Sequence, residues 1–271
     1  MRSAADFDAV IFDTDGVVTD TAVLHAASWK RLFDEYLARR GAVDGCVYPP
    51  FDEVGEYLAL VDGKARYDGV RSVLGARGVT LADGSPGDPP GHETVCGLGN
   101  AKDGYFHERL RSDGVHVFAD TVRFLDRLRD AGCRTAVVSA SRNAREVLRT
   151  GGVLDRFEVA VDGVDSDRLG LAGTPDPALF LAAAARLGVA PERSVVVEDA
   201  VAGVAAGRRG GFGLVVGVDR VGHADQLAAA GADVVVADLD QLARLEHLPV
   251  DPVDPVDALD PFEGQSGGDP E

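Results

Sequence analysis

The stretch DAVIFDTDG (residues 8–16) places a short apolar strand directly before two carboxylates. The run Asp8–Asp13 is typical of a buried strand, and a carboxylate at its end is unfavourable unless a cation meets it. A second carboxylate at Asp15, with a glycine that permits a tight turn, makes an oxygen-rich pocket that suits Mg²⁺. An ordinary turn is the alternative, because Asp and Gly are common turn residues. Taken alone, the stretch favours neither interpretation.

A regular alternation of helices and strands begins after Val115. Strands are predicted at Thr135–Ser139, Phe157–Val161, Ser194–Glu198, Gly213–Val218 and Asp233–Val236. Helices are predicted at Thr121–Asp130, Asn143–Thr150, Pro177–Leu187, Val201–Arg209, Ala224–Ala230 and Leu239–Leu245. Such an alternation implies right-handed βαβ units and a parallel sheet covered by helices on both faces. The predicted fold class is therefore α/β, with a doubly wound parallel sheet.

The segment between the first strand and this alternation has a different character. A long helix is predicted from Thr21 to Arg40 with one apolar face. Shorter helical pieces, broken by Gly/Pro loops, follow at Glu53–Leu60, Tyr67–Ala76 and Lys102–Leu110. We therefore predict a discontinuous α/β core (residues 1–20 and 115–247), an inserted helical cap (residues 21–114) and an extended, disordered tail (residues 248–271) with seven acidic and no basic residues.

Two further strand ends carry polar side chains. Glu198 and Asp199 follow the apolar run SVVV, and if that strand neighbours the first, four carboxylates converge that cannot all stay ionised without a cation. This favours a metal site over a helix N-cap, although Asp199 can serve as both. The run Ser139–Asn143 (SASRN) puts hydroxyl and backbone N–H groups at a strand end, which suits a phosphate. An ordinary Ser/Asn cap is the alternative there.

Composition excludes several classes of partner. With 45 Asp+Glu against 27 Lys+Arg, the net charge is −18, so nucleic acid and anionic membrane surfaces are unfavourable partners. No apolar stretch approaches the roughly 18 residues that span a bilayer, and the first residues lack the pattern of a signal peptide. The three cysteines are widely spaced, which excludes a disulfide framework or zinc–cysteine cluster. We expect a cytoplasmic monomer.

At these residues the sequence resembles the haloacid dehalogenase superfamily of phosphotransferases, and within it the beta-phosphoglucomutase branch. DTDG (13–16) is similar to the DxDG signature, SASRN to the second phosphate-binding motif, and VVVEDAVAGVAAG (195–207) to the metal-binding motif. The run DGVVTDTAVLHAASWK (15–30) resembles that branch in particular. The likeness spans roughly Phe7 to Leu245. It implies a Rossmann-like core with a cap, in agreement with the pattern of elements.

The resemblance also implies roles at the strand ends. Asp13 would be the nucleophile that becomes an aspartyl phosphate, and Asp15 the general acid/base. Asp13, the backbone carbonyl of Asp15 and Asp199 would hold Mg²⁺, with Glu198 close by. Ser139 and the backbone near Ala140 would bind the transferring phosphoryl group. The phosphate- and substrate-binding run also includes Ser141, Arg142 and Asn143.

Cap residues would choose the substrate. Arg66, in DGKARYDGV (62–70), resembles the arginine that binds the distal phosphate of a sugar bisphosphate. Lys102 resembles a second cationic cap contact, His25 a residue that supports acid/base work, and Thr21 marks the hinge. Exposed surface charge is the alternative for Arg66 and Lys102, because it is the usual fate of both residue types.

One departure from the family pattern is serious. The superfamily has a lysine, typically in a G-K-P segment, that bridges the nucleophile and the phosphate; Thr174 stands at that position, and Ala178 replaces the usual following Asp. Losing one such stabilising group typically costs about 2.7–4 kcal/mol of transition-state stabilisation. Arg142, Arg168 or Lys102 are the candidate substitutes.

Three functions follow from this sequence. The first is a Mg²⁺-dependent mutase that converts β-glucose 1-phosphate to glucose 6-phosphate through a bisphosphate intermediate and a phosphorylated Asp13. The second is a phosphatase that uses the same residues on a small sugar phosphate. The third is a catalytically impaired module that binds a sugar phosphate, motivated by Thr174. The expected partner in each case is a small phosphorylated sugar.

Overall fold

A six-stranded, all-parallel sheet forms the centre of the computed structural model, which describes residues 7–242. Its strand order is β3-β2-β1-β4-β5-β6. The strands are β1 (Ala9–Asp13), β2 (Arg134–Val138), β3 (Val159–Val161), β4 (Ser194–Glu198), β5 (Leu214–Val218) and β6 (Val234–Val236). The predicted α/β class with a doubly wound parallel sheet is confirmed.

Strand β1 lies at the centre of the sheet, and its side chains alternate between two apolar layers. Ile11 is in register with Ala136 of β2 on one side and Val196 of β4 on the other. Val10 and Phe12 pack on one face, and Ala9 and Ile11 on the other. A strand buried on both faces reads as a continuous apolar run, which explains why it was recognisable in the sequence.

Helices cover both layers. In the part of the chain that the structure describes, the α-helices of the alternating region are α4 (Ala119–Asp130), α5 (Ala144–Thr150), α6 (Gly163–Leu169), α7 (Ala178–Leu187), α8 (Val201–Arg209) and α9 (Ala224–Ala229). Phe124 and Leu148 of α4 and α5 pack on one face of the sheet, whereas Phe180 and Val204 of α7 and α8 pack on the other. Helix α6 was not predicted from the sequence.

A separate helical layer lies between β1 and α4 along the chain. It comprises α1 (Ala22–Asp44), a π-helical turn (Tyr57–Val61), α2 (Arg66–Ala76) and α3 (Val95–Asp113). These helices share their own apolar cluster, with Trp29, Phe33 and Phe51 in ring contact. A distinct apolar cluster supports the proposed division into core and cap, whose boundaries remain a prediction.

Helix α3 corrects one prediction. It begins at Val95 rather than Lys102, and its first turns contain Gly97 and Gly99, which are unfavourable in helices. Both glycines are sites of close approach. A Cβ at Gly97 would collide with the backbone oxygen of His92, and one at Gly99 would come within 2.7 Å of the Tyr67 ring. Packing therefore overrides intrinsic propensity here.

Several predictions fall at or beyond the end of the described chain. Residues 239–242 form a turn, so the structure does not show the start of the predicted helix Leu239–Leu245. The rest of that helix, the end of the core at residues 243–247 and the predicted acidic tail (248–271) lie outside the described residues. Among residues 7–242, every helix is too short or too polar to cross a membrane. The monomeric state and cytoplasmic location stay predictions.

Candidate active site

Three carboxylates meet at the carboxyl-terminal edge of the sheet. Asp13 ends β1 and Glu198 ends the neighbouring strand β4, and Asp199 follows it. One oxygen atom from each lies within 4.8 Å of the others. The fourth predicted carboxylate, Asp15, lies beside this cluster with its side chain in hydrogen bonds to Ser139 and Thr21. The predicted convergence at one edge follows from the pairing of β1 with β4.

Electrostatics at the cluster favour an added cation. Burial, followed by the charges of its neighbours, raises the pKa of Asp13 well above its usual range, and the same causes act on the pKa of Asp199. Burial also raises the pKa of Glu198 to about 8. Within residues 7–242, no ion pair joins any of these three side chains to a Lys, Arg or His. Crowded, unneutralised oxygen donors fit a hard divalent cation such as Mg²⁺.

Two glycines make this crowding possible. Gly16 has φ = 83°, in the left-handed region, and a Cβ at this position would overlap the Asp199 carboxylate. A Cβ at Gly203, on α8, would overlap the Glu198 carboxyl group. Glu198 is held in place by the backbone N–H of Ala200, which donates to Oε2 at 2.7 Å. The glycines therefore set the distance between backbone and carboxylates.

Asp15 is surrounded by three side chains from two parts of the chain. Its Oδ1 accepts from the Thr21 hydroxyl, and its Oδ2 accepts from the Ser139 hydroxyl at 3.3 Å. His25 Nε2 faces it at 3.7 Å. Its backbone N–H donates to Asp13 Oδ2 at 2.9 Å, which fixes the orientation of the predicted nucleophile. Thr21 immediately precedes α1, and its role as a hinge remains a prediction.

Lys102 lies inside the protein, and its interpretation as surface charge is wrong. Its side chain is buried against Trp29 and Phe106, and the residue is 4% exposed. Nζ lies 2.6 Å from His25 Nδ1. Burial, followed by the positive charge of Arg66, lowers the pKa of Lys102 to about 7. Burial likewise lowers the pKa of His25 well below its usual value, so the lysine is the natural donor in this contact.

The predicted phosphate loop folds onto itself through its hydroxyl groups. Ser139 Oγ accepts from the Ser141 N–H at 3.0 Å, and Ser141 Oγ accepts from the Asn143 N–H at 3.2 Å. Ser139, Ala140 and Ser141 line the cleft described below. Arg142 instead pairs with Asp167. Three residues of the loop thus line the cleft, while its arginine is engaged elsewhere.

Arg66 lies in the cleft at the start of α2, where its side chain is 17% exposed. Its Nη2 donates to Asp103 Oδ1 at 2.6 Å. Asn143 Nδ2 donates to the same oxygen at 2.7 Å. The interpretation of Arg66 as exposed surface charge is therefore wrong, and Asp103 is a site residue that the sequence analysis did not find.

Thr174 makes a direct contact between the core and the helical layer. Its hydroxyl donates to the backbone oxygen of Gly63 at 2.6 Å. Of the candidate substitutes for the missing lysine, Arg142 pairs with Asp167 and Arg168 pairs with Asp165. Lys102 alone of those three candidates lines the cleft in the described part of the chain.

The cleft between the sheet edge and the helical layer has a volume of about 330 Å³. Two of its lining residues, Tyr57 and Asp62, were missed by the sequence analysis. Burial, followed by the charge of Asp15, raises the pKa of Asp62 to about 6. The available signal was the Asp-Gly turn at 62–63, directly ahead of the arginine motif.

Comparison with known proteins agrees with this geometry. A family profile described as haloacid dehalogenase-like hydrolase matches residues 7–211. A beta-phosphoglucomutase of Mycobacterium bovis is 51% identical over 238 residues, which cover 86% of this chain and 90% of the relative. A trehalose-phosphate phosphatase of Mycobacterium leprae is 42% identical over 126 residues, which cover 45% of this chain and 28% of the relative.

A solved structure supports the same assignment. A beta-phosphoglucomutase from Clostridium difficile superimposes with a TM-score of 0.68 at 25% sequence identity, and the match covers 87% of this chain and 93% of the other. The family profile, the Mycobacterium bovis relative and the solved structure each match most of the chain. The chain is therefore an enzyme that belongs to the haloacid dehalogenase-like hydrolases, within the beta-phosphoglucomutase-like branch.

Proposed function

We propose that the chain is a Mg²⁺-dependent mutase that converts β-glucose 1-phosphate to glucose 6-phosphate through a phosphorylated Asp13. One observation carries the proposal. The cluster of Asp13, Glu198 and Asp199 forms no ion pair with a basic side chain among residues 7–242, and it lies beside a hydroxyl-rich loop that lines the same cleft. Phosphoryl transfer needs such positioning and charge neutralisation more than elaborate covalent chemistry.

Asp13 is the nucleophile in this proposal. A carboxylate oxygen attacks phosphorus in line, a new P–O bond forms, and the bond from phosphorus to the sugar oxygen breaks. The contact from the Asp15 N–H to Asp13 Oδ2 supports this role, since it limits rotation of the attacking group. The phosphoryl donor in this half is the 1-phosphate of a glucose 1,6-bisphosphate intermediate, so glucose 6-phosphate leaves. In the second half the aspartyl phosphate passes its phosphoryl group to the 6-hydroxyl of β-glucose 1-phosphate, which forms the bisphosphate again.

Asp15 moves the proton. It donates to the departing sugar oxygen in the first half and accepts the proton of the attacking hydroxyl in the second. Burial raises its pKa above the usual value, which favours the protonated form that the first step needs. The hydroxyls of Thr21 and Ser139 hold both of its oxygens, so the proton is delivered from a fixed position.

The metal ligands would be Asp13, Asp199 and the backbone carbonyl of Asp15, with Glu198 close by. When bound, Mg²⁺ would offset the repulsion between the carboxylates and an incoming phosphate dianion and neutralise its oxygens. Ser139 and the backbone at Ala140 would bind the remaining phosphoryl oxygens. The Ser141 N–H holds Ser139 Oγ in place, and the Ser139 hydroxyl would turn from Asp15 Oδ2 to a phosphoryl oxygen when the substrate binds.

The helical layer would exclude water and select the substrate. His25, Arg66 and Lys102 all line the cleft opposite the carboxylates. Closure over a sugar phosphate keeps water from the aspartyl phosphate, so transfer to sugar outcompetes hydrolysis. The Thr174–Gly63 hydrogen bond supports a closed position of the cap.

A phosphatase is the second candidate. The similarity to a trehalose-phosphate phosphatase and the hydrolase family profile favour it. In that reaction water replaces the sugar hydroxyl as the acceptor, while Asp13 and Asp15 keep their roles. The third hypothesis, catalytic impairment at Thr174, is a question of rate that the same assay addresses.

A phosphorus NMR time course tests the proposal. The protein is mixed with Mg²⁺, β-glucose 1-phosphate and a trace of glucose 1,6-bisphosphate. We expect growth of the glucose 6-phosphate signal. Growth of inorganic phosphate alone would establish the phosphatase instead. Absence of both products contradicts the mutase with this substrate, and the same run on Thr174→Lys then separates a wrong sugar from a disabled site.

A further inference from the structure

Asp103 joins two of the residues expected to bind phosphate. Its Oδ1 accepts from Arg66 Nη2 at 2.6 Å and from Asn143 Nδ2 at 2.7 Å. Arg66 opens α2 in the helical layer, and Asn143 directly precedes α5 of the core. A guanidinium and an amide from two regions of the chain thus converge on one anionic oxygen.

We infer that the Asp103 carboxylate is an internal occupant of an anion subsite, which the non-reacting phosphate of the substrate must displace. The inference rests on the proposed function, because it takes Arg66 and Asn143 as phosphate-binding residues. Carboxylate and phosphate oxygens accept the same charge-assisted hydrogen bonds. Asp103 therefore occupies the position in which a phosphate oxygen would be bound.

The two anions exclude each other at this position. Both carry negative charge, and the Arg66 Nη2–Oδ1 contact is already at the short end of hydrogen-bond length. Asp103 has somewhere to go, since its side chain is one-quarter exposed and its Oδ2 lies 3.8 Å from His107 Nε2. Rotation towards His107 frees Arg66 and Asn143 for the ligand.

This competition makes Asp103 a specificity-determining residue. A ligand that must first displace an internal group binds with an apparent Kd increased by the inverse of the open fraction. Ligands that place no anion between Arg66 and Asn143 do not carry this penalty. Asp103 therefore sets the affinity for the far phosphate and leaves the reacting phosphate at Asp13 unaffected.

A positioning role for Asp103 predicts the opposite change in the Kd for the phosphate when Asp103 is removed. If Asp103 mainly holds Arg66 in place for the substrate, its removal disorders the arginine and weakens phosphate binding. The variant Asp103→Asn separates the two, because Asn keeps the size and the acceptor oxygen but removes the charge. Glu108→Gln is the matched control. It removes one charge from the same helix, at an exposed residue that pairs with Arg31.

The measurement is calorimetric binding of inorganic phosphate and of glucose 1,6-bisphosphate to the full chain with Mg²⁺. We expect the Kd of Asp103→Asn for the bisphosphate to fall about three- to tenfold, with no change for Glu108→Gln. Steady-state assays are expected to give a lower KM at unchanged kcat. An unchanged or higher Kd in Asp103→Asn overturns the inference.

Arg66→Gln supplies the internal check. If Asp103 competes for Arg66, the gain from Asp103→Asn must disappear in the Arg66→Gln background, and a gain that persists there overturns the inference. The titrations compare the variants in the Asp13→Asn background, in which the bisphosphate cannot phosphorylate residue 13, so binding is read without turnover and the result stands even when the chain converts no hexose phosphate. Failure of the mutase proposal and failure of this inference are thereby distinguishable.

Discussion

Two acidic clusters lie at the same edge of the sheet, and they differ in whether arginines pair with them. Asp13, Glu198 and Asp199 follow β1 and β4 and have no ion pair among the described residues. Asp162 and Asp165 follow β3 and open α6, where three arginines surround them: Arg145, Arg168 and Arg186.

The pKa values move in opposite directions as a result. The hydrogen bond from Arg186 lowers the pKa of Asp165 well below its usual range. Burial and neighbouring carboxylates raise the pKa of Asp13. The arginines neutralise the second cluster within the fold, whereas the first cluster is the one at which we propose that a cation binds. The predictions below test this difference between the two clusters.

The largest effect is expected at Asp13. Asp13→Asn removes the proposed nucleophile, so turnover should fall by at least about 10⁴-fold. The fold should persist, because the substitution removes one charge from an unneutralised cluster. Activity assays and thermal unfolding followed by circular dichroism check both statements. A variant that keeps more than a few per cent of the activity would sink the assignment.

A lysine at position 174 should add the missing counter-charge to the first cluster. We expect Thr174→Lys to raise kcat by about 100-fold, the size of one preorganised stabilising group. Thr174→Val is the control, since it also removes the hydrogen bond to Gly63 but brings no charge. An unchanged or lower rate for Thr174→Lys contradicts the prediction.

Mg²⁺ should stabilise the folded protein by binding at the cluster of Asp13, Glu198 and Asp199, and not at the arginine-rich cluster. At a concentration of 100 times Kd, a bound ion raises the free energy of unfolding by about 2.7 kcal/mol. Asp199→Asn should abolish most of this shift, whereas Asp165→Asn should retain it. Thermal unfolding with and without Mg²⁺ measures the stabilising shift in each variant. Equal shifts in both variants would mean that the ion binds elsewhere.

The smallest effect is expected at the arginine-rich cluster. Asp165→Asn should lower the free energy of unfolding at pH 7 by about 1–3 kcal/mol, because it leaves several arginines without their partner. Asp126→Asn is the control, since its pairs with Arg129 and Arg156 are exposed and should contribute less than about 1 kcal/mol.

The pH dependence of that effect has a definite sign. Asp165 has a lowered pKa in the folded state, so the folded protein binds fewer protons than the unfolded chain. Its contribution is full above the unfolded pKa of 3.8 and is lost as the pH falls towards the folded pKa. Urea unfolding at pH 7 and pH 3 should show the difference between wild type and Asp165→Asn shrink. A constant difference would exclude the ionic origin.

The sequence was most informative where the decisive signal was local. An apolar run that ends in acid marks Asp13 and Glu198 without any knowledge of the rest of the chain. Their meeting required only that the two strands be neighbours. Thr174 was likewise recognised by its position within a short motif.

Features that depend on distant contacts were missed. Asp103 carries no local signature, since it acts through its contacts with Arg66 and Asn143. Lys102 was compatible with surface charge, because its burial is created by Trp29 and Phe106 from other turns of the helical layer. The predicted start of α3 was seven residues too late, because its first turns contain glycines that tertiary packing requires.

The central position of β1 has a consequence for how the chain is made. The register pairs Ala9 with Arg134 and with Ser194, so the first strand to leave the ribosome waits for partners about 125 and 185 residues downstream. At about 5–20 residues per second, the second partner arrives about 10–40 s later. The apolar strand that ends in Asp13 is therefore the first strand of this sheet to be synthesised, yet its second edge stays uncovered until β4 has been made.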